Sequence, residues 1–187
     1  MLSIFIGWLR GGSLRRFADW NFRLPWVFIV AFLLQFFLPQ IASVFNLGKN
    51  FAFFILVFSY ILLMEGIILN LKNKYFPVLG LGILLNFLVI TLNRGMPVSL
   101  ETVAKYGSPE AALKIKQSFD FIHISMGNET LLKFLADIIP VPTLLPLGMS
   151  LVSVGDLFIS LGIFLVVQKQ MVYIGKRRMK KAAPQGH

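Results

Sequence analysis

The stretch FAFFILVFSYILLMEGIILNLKNKYFPVLGLGILLNFLVITL, residues 51–92, decides the fold of this chain. It contains two apolar runs, residues 51–71 and 76–92, which are separated by a short turn that carries Lys72 and Lys74. A helix that crosses a bilayer needs about 20 apolar residues, within a range of about 17–25. Both runs meet that length, so the stretch predicts two spanning helices joined by a basic turn.

Two more runs, residues 25–45 and 151–172, are long and apolar enough to cross a bilayer, which gives four predicted spans. Pro25 suits the first turn of a helix, and Pro39 predicts a kink or an early end. Hydrophobic residues make up 57% of the 187, above the roughly 45–50% of soluble domains. We therefore predict an all-α membrane protein, with a bundle of four spanning helices in a single integral membrane domain over residues 1–187.

The opening residues 1–9 are apolar but too short to cross a bilayer alone, and Arg10, Gly11 and Gly12 follow them. This pattern predicts a short interfacial or partial helix, with a spanning helix that has a clipped start as the alternative. The segment has neither a leading basic region nor a small-residue cleavage site, so we do not expect a cleaved signal peptide.

The net charge of +10 does not predict a nucleic-acid partner, because the basic residues cluster at the ends of the apolar runs. Four crossings place both termini on one side, together with most of the positive charge. We predict a protein of a bacterial cytoplasmic (inner) membrane. The positive-inside rule then predicts cytoplasmic termini, a basic tail at 173–187 and an extracytoplasmic segment at 93–150. The twelve basic residues on the predicted cytoplasmic side are Arg10, Arg15, Arg16, Arg23, Lys72, Lys74, Lys169, Lys176, Arg177, Arg178, Lys180 and Lys181.

The segment 93–150 is too long for a bare loop. Ser99 predicts a capped helix that ends near Gly107, and Ser108-Pro109-Glu110 predicts the start of a second helix through about Ser118. We predict a third helix over residues 129–139, where Glu, Lys and Asp recur at four-residue spacing. Three prolines then predict a re-entrant or interfacial turn over residues 137–147.

Several classes of chemistry lack their residues in this sequence. There is no cysteine, which excludes disulfides and thiolate sites. The two histidines, His123 and His187, do not form a zinc-binding spacing, and no phosphate-binding loop or nucleophile elbow is present. The sequence thus indicates no cofactor and no metal.

Three polar residues lie inside the predicted spans: Glu65, Asn70 and Asn86. An ionisable residue in a membrane is a functional candidate by default. Glu65 is either functional or paired with Lys72, Lys74 or an N-terminal arginine. Asn86 shares a helix face with Gly82, which favours a hydrogen bond between packed helices over a ligand site.

A second polar set is predicted at the outer face of the bundle. Arg94 follows the third span and could hold a carboxylate or phosphate. The alternative is a structural salt bridge from Arg94 to Asp137 or Asp156. The candidate binding residues of this outer polar site are Asn93, Arg94, His123, Asp137, Ser153 and Asp156.

These motifs also carry a resemblance. The ordered set N-x-G-M-P-V-S (93–99), a histidine at 123, L-x-D-I-I-P-x-P (135–142) and S-V-G-D (153–156) resembles an uncharacterised family of bacterial multi-pass membrane proteins, known only as a domain of unknown function. The early G-W-L-R-G-G-S-L segment (7–14) and the Leu34-Gln35 pair belong to the same resemblance. It implies membrane residence and supplies no activity, substrate or catalytic residue.

Three functions are compatible with this pattern. The first is binding or transport of a small polar or anionic solute at the outer polar site. The second is a non-catalytic accessory or assembly subunit, whose apolar surface contacts a membrane-protein partner or a second copy in the bilayer. The third is a membrane enzyme that acts on a lipid-linked phosphate, for which the sequence shows no nucleophile.

Overall fold

The structure is a computed structural model that describes residues 2–17, 22–106, 109–116, 121–142 and 149–173. Four of its helices are long and apolar enough to cross a membrane, which confirms the predicted all-α, multi-pass membrane bundle. Two short helices, short strands and turns connect the last two of them in the described part of the chain. The described elements are α1 (Leu2–Leu9), a 3-10 turn (Leu14–Phe17), α2 (Pro25–Val44), α3 (Lys49–Leu69), α4 (Phe76–Asn93), β1 (Met96–Val98), α5 (Leu100–Tyr106), α6 (Pro109–Lys116), β2 (His123–Ser125), a 3-10 turn (Lys133–Leu135), β3 (Ile139–Pro142), β4 (Met149–Val152), α7 (Val154–Gln168) and a π-helical turn (Lys169–Tyr173).

The spanning helices pack in the order α2, α3, α4, α7, so that α4 lies between α3 and α7. Hydrogen bonds support the apolar contacts between α2 and α3, where the Gln35 amide donates to the Ser59 hydroxyl at 2.9 Å. At the far end of α3, the Asn70 side chain bonds both backbone groups of Arg23. Asn70 therefore fixes the chain that leads into α2 against the end of α3.

The contact between α4 and α7 depends on glycines. A side chain at Gly162 would place its Cβ 2.6 Å from the Leu79 backbone, and one at Gly82 would lie 2.7 Å from the Ile159 nitrogen and closer still to the Gly155 carbonyl. Backbones this close leave no room for a methyl group. The two antiparallel helices thus meet backbone to backbone.

The start of α7 lies inside the bundle rather than at its surface. Gly155 contacts Gly82 and Asn86, and Asn86 precedes the last residue of α4, Asn93, by seven positions. At 1.5 Å per residue, α7 begins about 10 Å below the end of α4. We call residues 94–153 the insert. The side of the bundle at which α4 terminates is called the insert end.

The insert fills the space above α7 with two small sheets. β1 and β2 pair in parallel, with Met96 opposite His123, and β3 and β4 pair in an antiparallel way, with Ile139 opposite Val152. Two of the three helices predicted for this segment are present as α5 and α6. The Ser99 hydroxyl accepts a hydrogen bond from the Thr102 amide, as its predicted capping role requires.

The third predicted helix, over residues 129–139, is wrong. Only a 3-10 turn forms there, and β3 begins at Ile139. Leu135 and Ala136 are buried instead, and the Asp137 amide donates to the Pro97 carbonyl at 3.0 Å. Burial of these side chains and the hydrogen bond to β1 stabilise this conformation by more than the few tenths of a kcal/mol that charged pairs at four-residue spacing add to a helix.

The connection into the last span also differs from the expected one. The predicted turn over 137–147 is an extended strand as far as Pro142, and residues 143–148 lie outside the described part. The last span begins at Val154 rather than at 151, because Leu151 and Val152 pair with β3. The short opening helix is present as α1, which lies along the last turns of α7, with Gly7 against Met171.

We expect Gly82→Ala to destabilise the protein by about 1–3 kcal/mol, because the added methyl group overlaps the backbone of α7. Thermal unfolding in a mild detergent measures the change. Gly127→Ala is the matched control, since a Cβ at Gly127 meets nothing within 4 Å. Equal stability of the two variants would contradict a backbone contact between α4 and α7.

Candidate functional site

The start of α7 is held by a complete network of hydrogen bonds. The Ser153 hydroxyl accepts from the Asp156 amide, and the Asp156 carboxylate accepts from the Ser153 amide, each at 2.9 Å, which forms a capping box. From α4, the Asn86 amide donates to the other Asp156 oxygen at 2.8 Å. The Ser153 hydroxyl also lies 2.8 Å from the Asn86 side-chain oxygen. This confirms the predicted interhelical role of Asn86.

Asp156 occupies a fully hydrogen-bonded position at the start of α7. Both of its oxygens accept hydrogen bonds, and the N-terminus of α7 adds the favourable end of the helix dipole. The hydrogen-bonding needs of its two oxygens are therefore met by the protein itself.

Asp137 has far fewer partners. It is buried, and one oxygen lies 3.5 Å from Nε2 of His123, whose side chain is about one-third exposed. Its other oxygen, Oδ1, is buried and has no hydrogen-bond partner in the described part of the chain. An unsatisfied buried oxygen of this kind is uncommon, because it loses water without a replacement.

Burial raises the pKa of Asp137 above its usual range. Its contact with His123 offsets part of this rise, and the nearby Asp156 charge adds to it. The environment thus favours the protonated form of Asp137 more than water does.

Tyr60 completes the arrangement. This residue of α3 is buried, and its hydroxyl lies within electrostatic range of Asn86, Asp156 and Asp137. Tyr60 is not among the site residues predicted from the sequence. Its polar tip in a run of phenylalanines was the available signal, because a buried tyrosine hydroxyl usually finds a partner. We call Tyr60, Asn86, His123, Asp137, Ser153 and Asp156 the inner polar cluster.

Two of the residues predicted for the outer polar site do not join this cluster. Asn93 links the end of α4 to the insert instead. Its side chain forms hydrogen bonds with both backbone groups of Leu131 and with the Val89 carbonyl. Arg94 is exposed, with a left-handed backbone at the end of α4, and in the described residues it forms no ion pair with Asp137 or Asp156. The alternative of a structural salt bridge from Arg94 is therefore not supported.

The polar residues on α3 separate into two environments. Asn70 is buried and bonded to the backbone, as described above. Glu65 is exposed on the surface of α3, and no ion pair with Lys72, Lys74 or another basic side chain forms among the described residues.

The sequence that forms this cluster matches the model of a protein family. DUF5317, described as a family of unknown function, matches residues 19–168, which include all of α2 through α7. The chain belongs to the DUF5317 family. This confirms the predicted membership in an uncharacterised family. No curated protein and no solved structure matches the chain.

Membership in DUF5317 indicates no activity or ligand, so the chemistry open to the inner polar cluster follows from its own residues. In the described part of this DUF5317 chain, no three His, Cys, Asp or Glu side chains come together to hold a metal ion. The cluster instead offers a buried acceptor at Asp137, a titratable neighbour at His123 and hydrogen-bonding groups on three helices. Such an arrangement can bind a proton or a hydrogen-bond donor.

We expect Asn86→Leu to destabilise the protein by about 1–3 kcal/mol, because it leaves Asp156 and Ser153 without a partner from α4. Thermal unfolding in detergent measures the effect. Thr91→Val, on the exposed face of the same helix, should leave the unfolding temperature unchanged. A loss of the same size in Thr91→Val would show that α4 is generally sensitive to substitution.

Asp137→Asn should become more stable relative to the wild type as the pH rises. The pKa of Asp137 is raised in the folded state, so the stability it contributes is complete below its unfolded pKa of about 3.9 and is lost as the pH rises through the folded value. Asparagine keeps the size and does not titrate. Unfolding temperatures measured from about pH 4 upward test this. A difference that stays constant or shrinks with rising pH would contradict the raised pKa.

Proposed function

We propose that this membrane protein binds a small polar solute with a positively charged, hydrogen-bond-donating group at the inner polar cluster. The observation that carries the proposal is Oδ1 of Asp137, which is buried and has no partner among the described residues. A donor from a bound solute would satisfy this oxygen and remove the desolvation penalty of about 1–3 kcal/mol.

The charges of the cluster favour a cation over an anion. Asp137 and Asp156 both contribute carboxylates, and Asp156 is already satisfied by Ser153 and Asn86. Arg94, which the sequence suggested as an anion ligand, is exposed and unpaired with either aspartate in the described residues.

Proton exchange would accompany binding. Because the pKa of Asp137 is raised, a cation that binds there competes with a proton. His123 is partly exposed and contacts the same carboxylate, so it offers a path for the displaced proton to leave. Binding should therefore strengthen as the pH rises.

The position of the cluster is compatible with transport as well as binding. Broken spanning helices whose ends meet inside the bundle form substrate sites in several transporter folds. Here α7 begins about 10 Å below the end of α4, and the insert covers that start.

We also propose that the insert end faces away from the cytoplasm of a bacterial inner membrane, with both termini in the cytoplasm. The basis is the distribution of charge along the sequence. Along the sequence, twelve of the 18 Lys and Arg residues flank the connection before α2, the turn between α3 and α4, or the end of α7, and six acidic residues fall in or next to the insert.

An accessory subunit is the second candidate, and Glu65 favours it. This carboxylate is exposed on a spanning helix and has no ion-pair partner in the described part of the chain. A basic side chain from a second membrane protein, or from another copy, would neutralise it.

The binding proposal is tested by thermal unfolding of the purified protein with sodium, potassium, methylammonium or guanidinium as probes, and with phosphate and sulfate as anions. At least one cationic probe should stabilise the wild type, by about 2.7 kcal/mol at a hundred times its Kd. The stabilisation should be larger at about pH 8 than at about pH 5.5, because protons compete less. Asp137→Asn should lose it.

Glu101→Gln is the matched control, because Glu101 is an exposed carboxylate of the insert, and it should keep the full stabilisation. Stabilisation by the anions alone, or equal stabilisation of the wild type and Asp137→Asn, would overturn the proposal. Native mass spectrometry after mild extraction tests the accessory-subunit role separately from solute binding. A stoichiometric second chain that is lost in Glu65→Gln would support the subunit role.

A further inference from the structure

A cavity of about 340 Å³ lies at the end of the bundle opposite the insert. It is formed between α1, the start of α4 and the end of α7. One part of its lining is apolar and the other carries two cations. The residues that line it are Arg10, Tyr75, Phe164, Leu165, Gln168, Lys169 and Val172.

Among the described residues, the two cations of this cavity have neutral partners only. The Arg10 guanidinium donates to the Gln168 side-chain oxygen at 2.9 Å, and the Lys169 ammonium donates to the Asn73 side-chain oxygen at 3.1 Å. Lys169 also lies 5.8 Å from the centre of the Tyr75 ring. In the described residues no carboxylate pairs with either cation. Neutral side chains thus hold both charges in position, and no described carboxylate neutralises them.

The local fold holds these groups in position. The Gln168 side chain also donates to the Ser3 carbonyl, which ties α1 to α7. After Gln168 the helix continues as one π-helical turn, which brings the buried Met171 against Gly7 and Gly12. π-helical turns of this kind are frequent at functional sites. The cavity is therefore part of a built structure rather than a gap between mobile side chains.

We propose that this cavity binds an anionic phospholipid, with the phosphate between Arg10 and Lys169 and an acyl chain along the apolar wall. Phe164 and Leu165 lie one turn before Gln168 and Lys169, so the wall runs from the cations toward the middle of the bundle. A free phosphate ion would use the cations but leave this wall without a ligand. Basic pockets between spanning helices are a recurring type of lipid headgroup site.

The test uses native mass spectrometry of the full chain, delipidated in detergent and titrated with phosphatidylglycerol, phosphatidylcholine or inorganic phosphate. We expect phosphatidylglycerol to bind one to one and phosphatidylcholine to bind far more weakly. Arg10→Gln and Lys169→Gln should each weaken phosphatidylglycerol binding about fivefold. Arg10→Lys should bind more tightly than Arg10→Gln because it keeps the charge.

Lys72→Gln is the matched control. Lys72 is an exposed cation at the same end of the bundle and does not line the cavity, so its loss should leave lipid binding unchanged. Equal weakening in Lys72→Gln would show a general attraction to the basic end and overturn the site. Binding of inorganic phosphate as tight as that of phosphatidylglycerol would also overturn it. Unfolding temperatures of the lipid-free variants identify any variant whose weaker binding reflects a damaged fold.

Discussion

The backbone contact between Gly82 and Gly155 allows the last spanning helix to start inside the bundle. At this contact the side chain of Asn86 reaches the side chains of Ser153 and Asp156, which in turn satisfy two backbone amides at the start of the helix. A larger residue at either glycine would separate α4 from α7 and break these bonds. The insert then has to fill the space above α7, which is why it folds down as paired strands.

The two aspartates near this contact differ because of what surrounds them. Asp156 lies at a helix start, and its two oxygens accept hydrogen bonds from the Ser153 amide and from the Asn86 side chain. Asp137 comes from a strand edge, where its backbone is satisfied by Pro97 but one of its oxygens is not satisfied at all. A chain selected for stability alone would satisfy or replace such a group. This contrast is why the proposed binding role falls to Asp137 rather than to Asp156.

The sequence was sufficient to predict the spans, because about 20 apolar residues in a row have few alternatives to crossing a membrane. It also predicted α5 and α6, whose starts are marked by Ser99 and Pro109. It failed over residues 129–139, where local charge spacing was outweighed by burial of Leu135 and Ala136. It brought Asp137, His123 and Asp156 into one group but missed Tyr60, since no local pattern shows which face of α3 meets α4.

The same limit applies to the basic cavity, where Arg10 and Gln168 are 158 positions apart and meet only through the packing of α1 on α7. α7 joins this cavity to the inner polar cluster, since it begins at one and ends at the other. Its 15 residues set a separation of about 22 Å along its axis. Contacts at Gly82 and Gly162 fix α7 to the α4 backbone at two points, so it cannot slide without opening both.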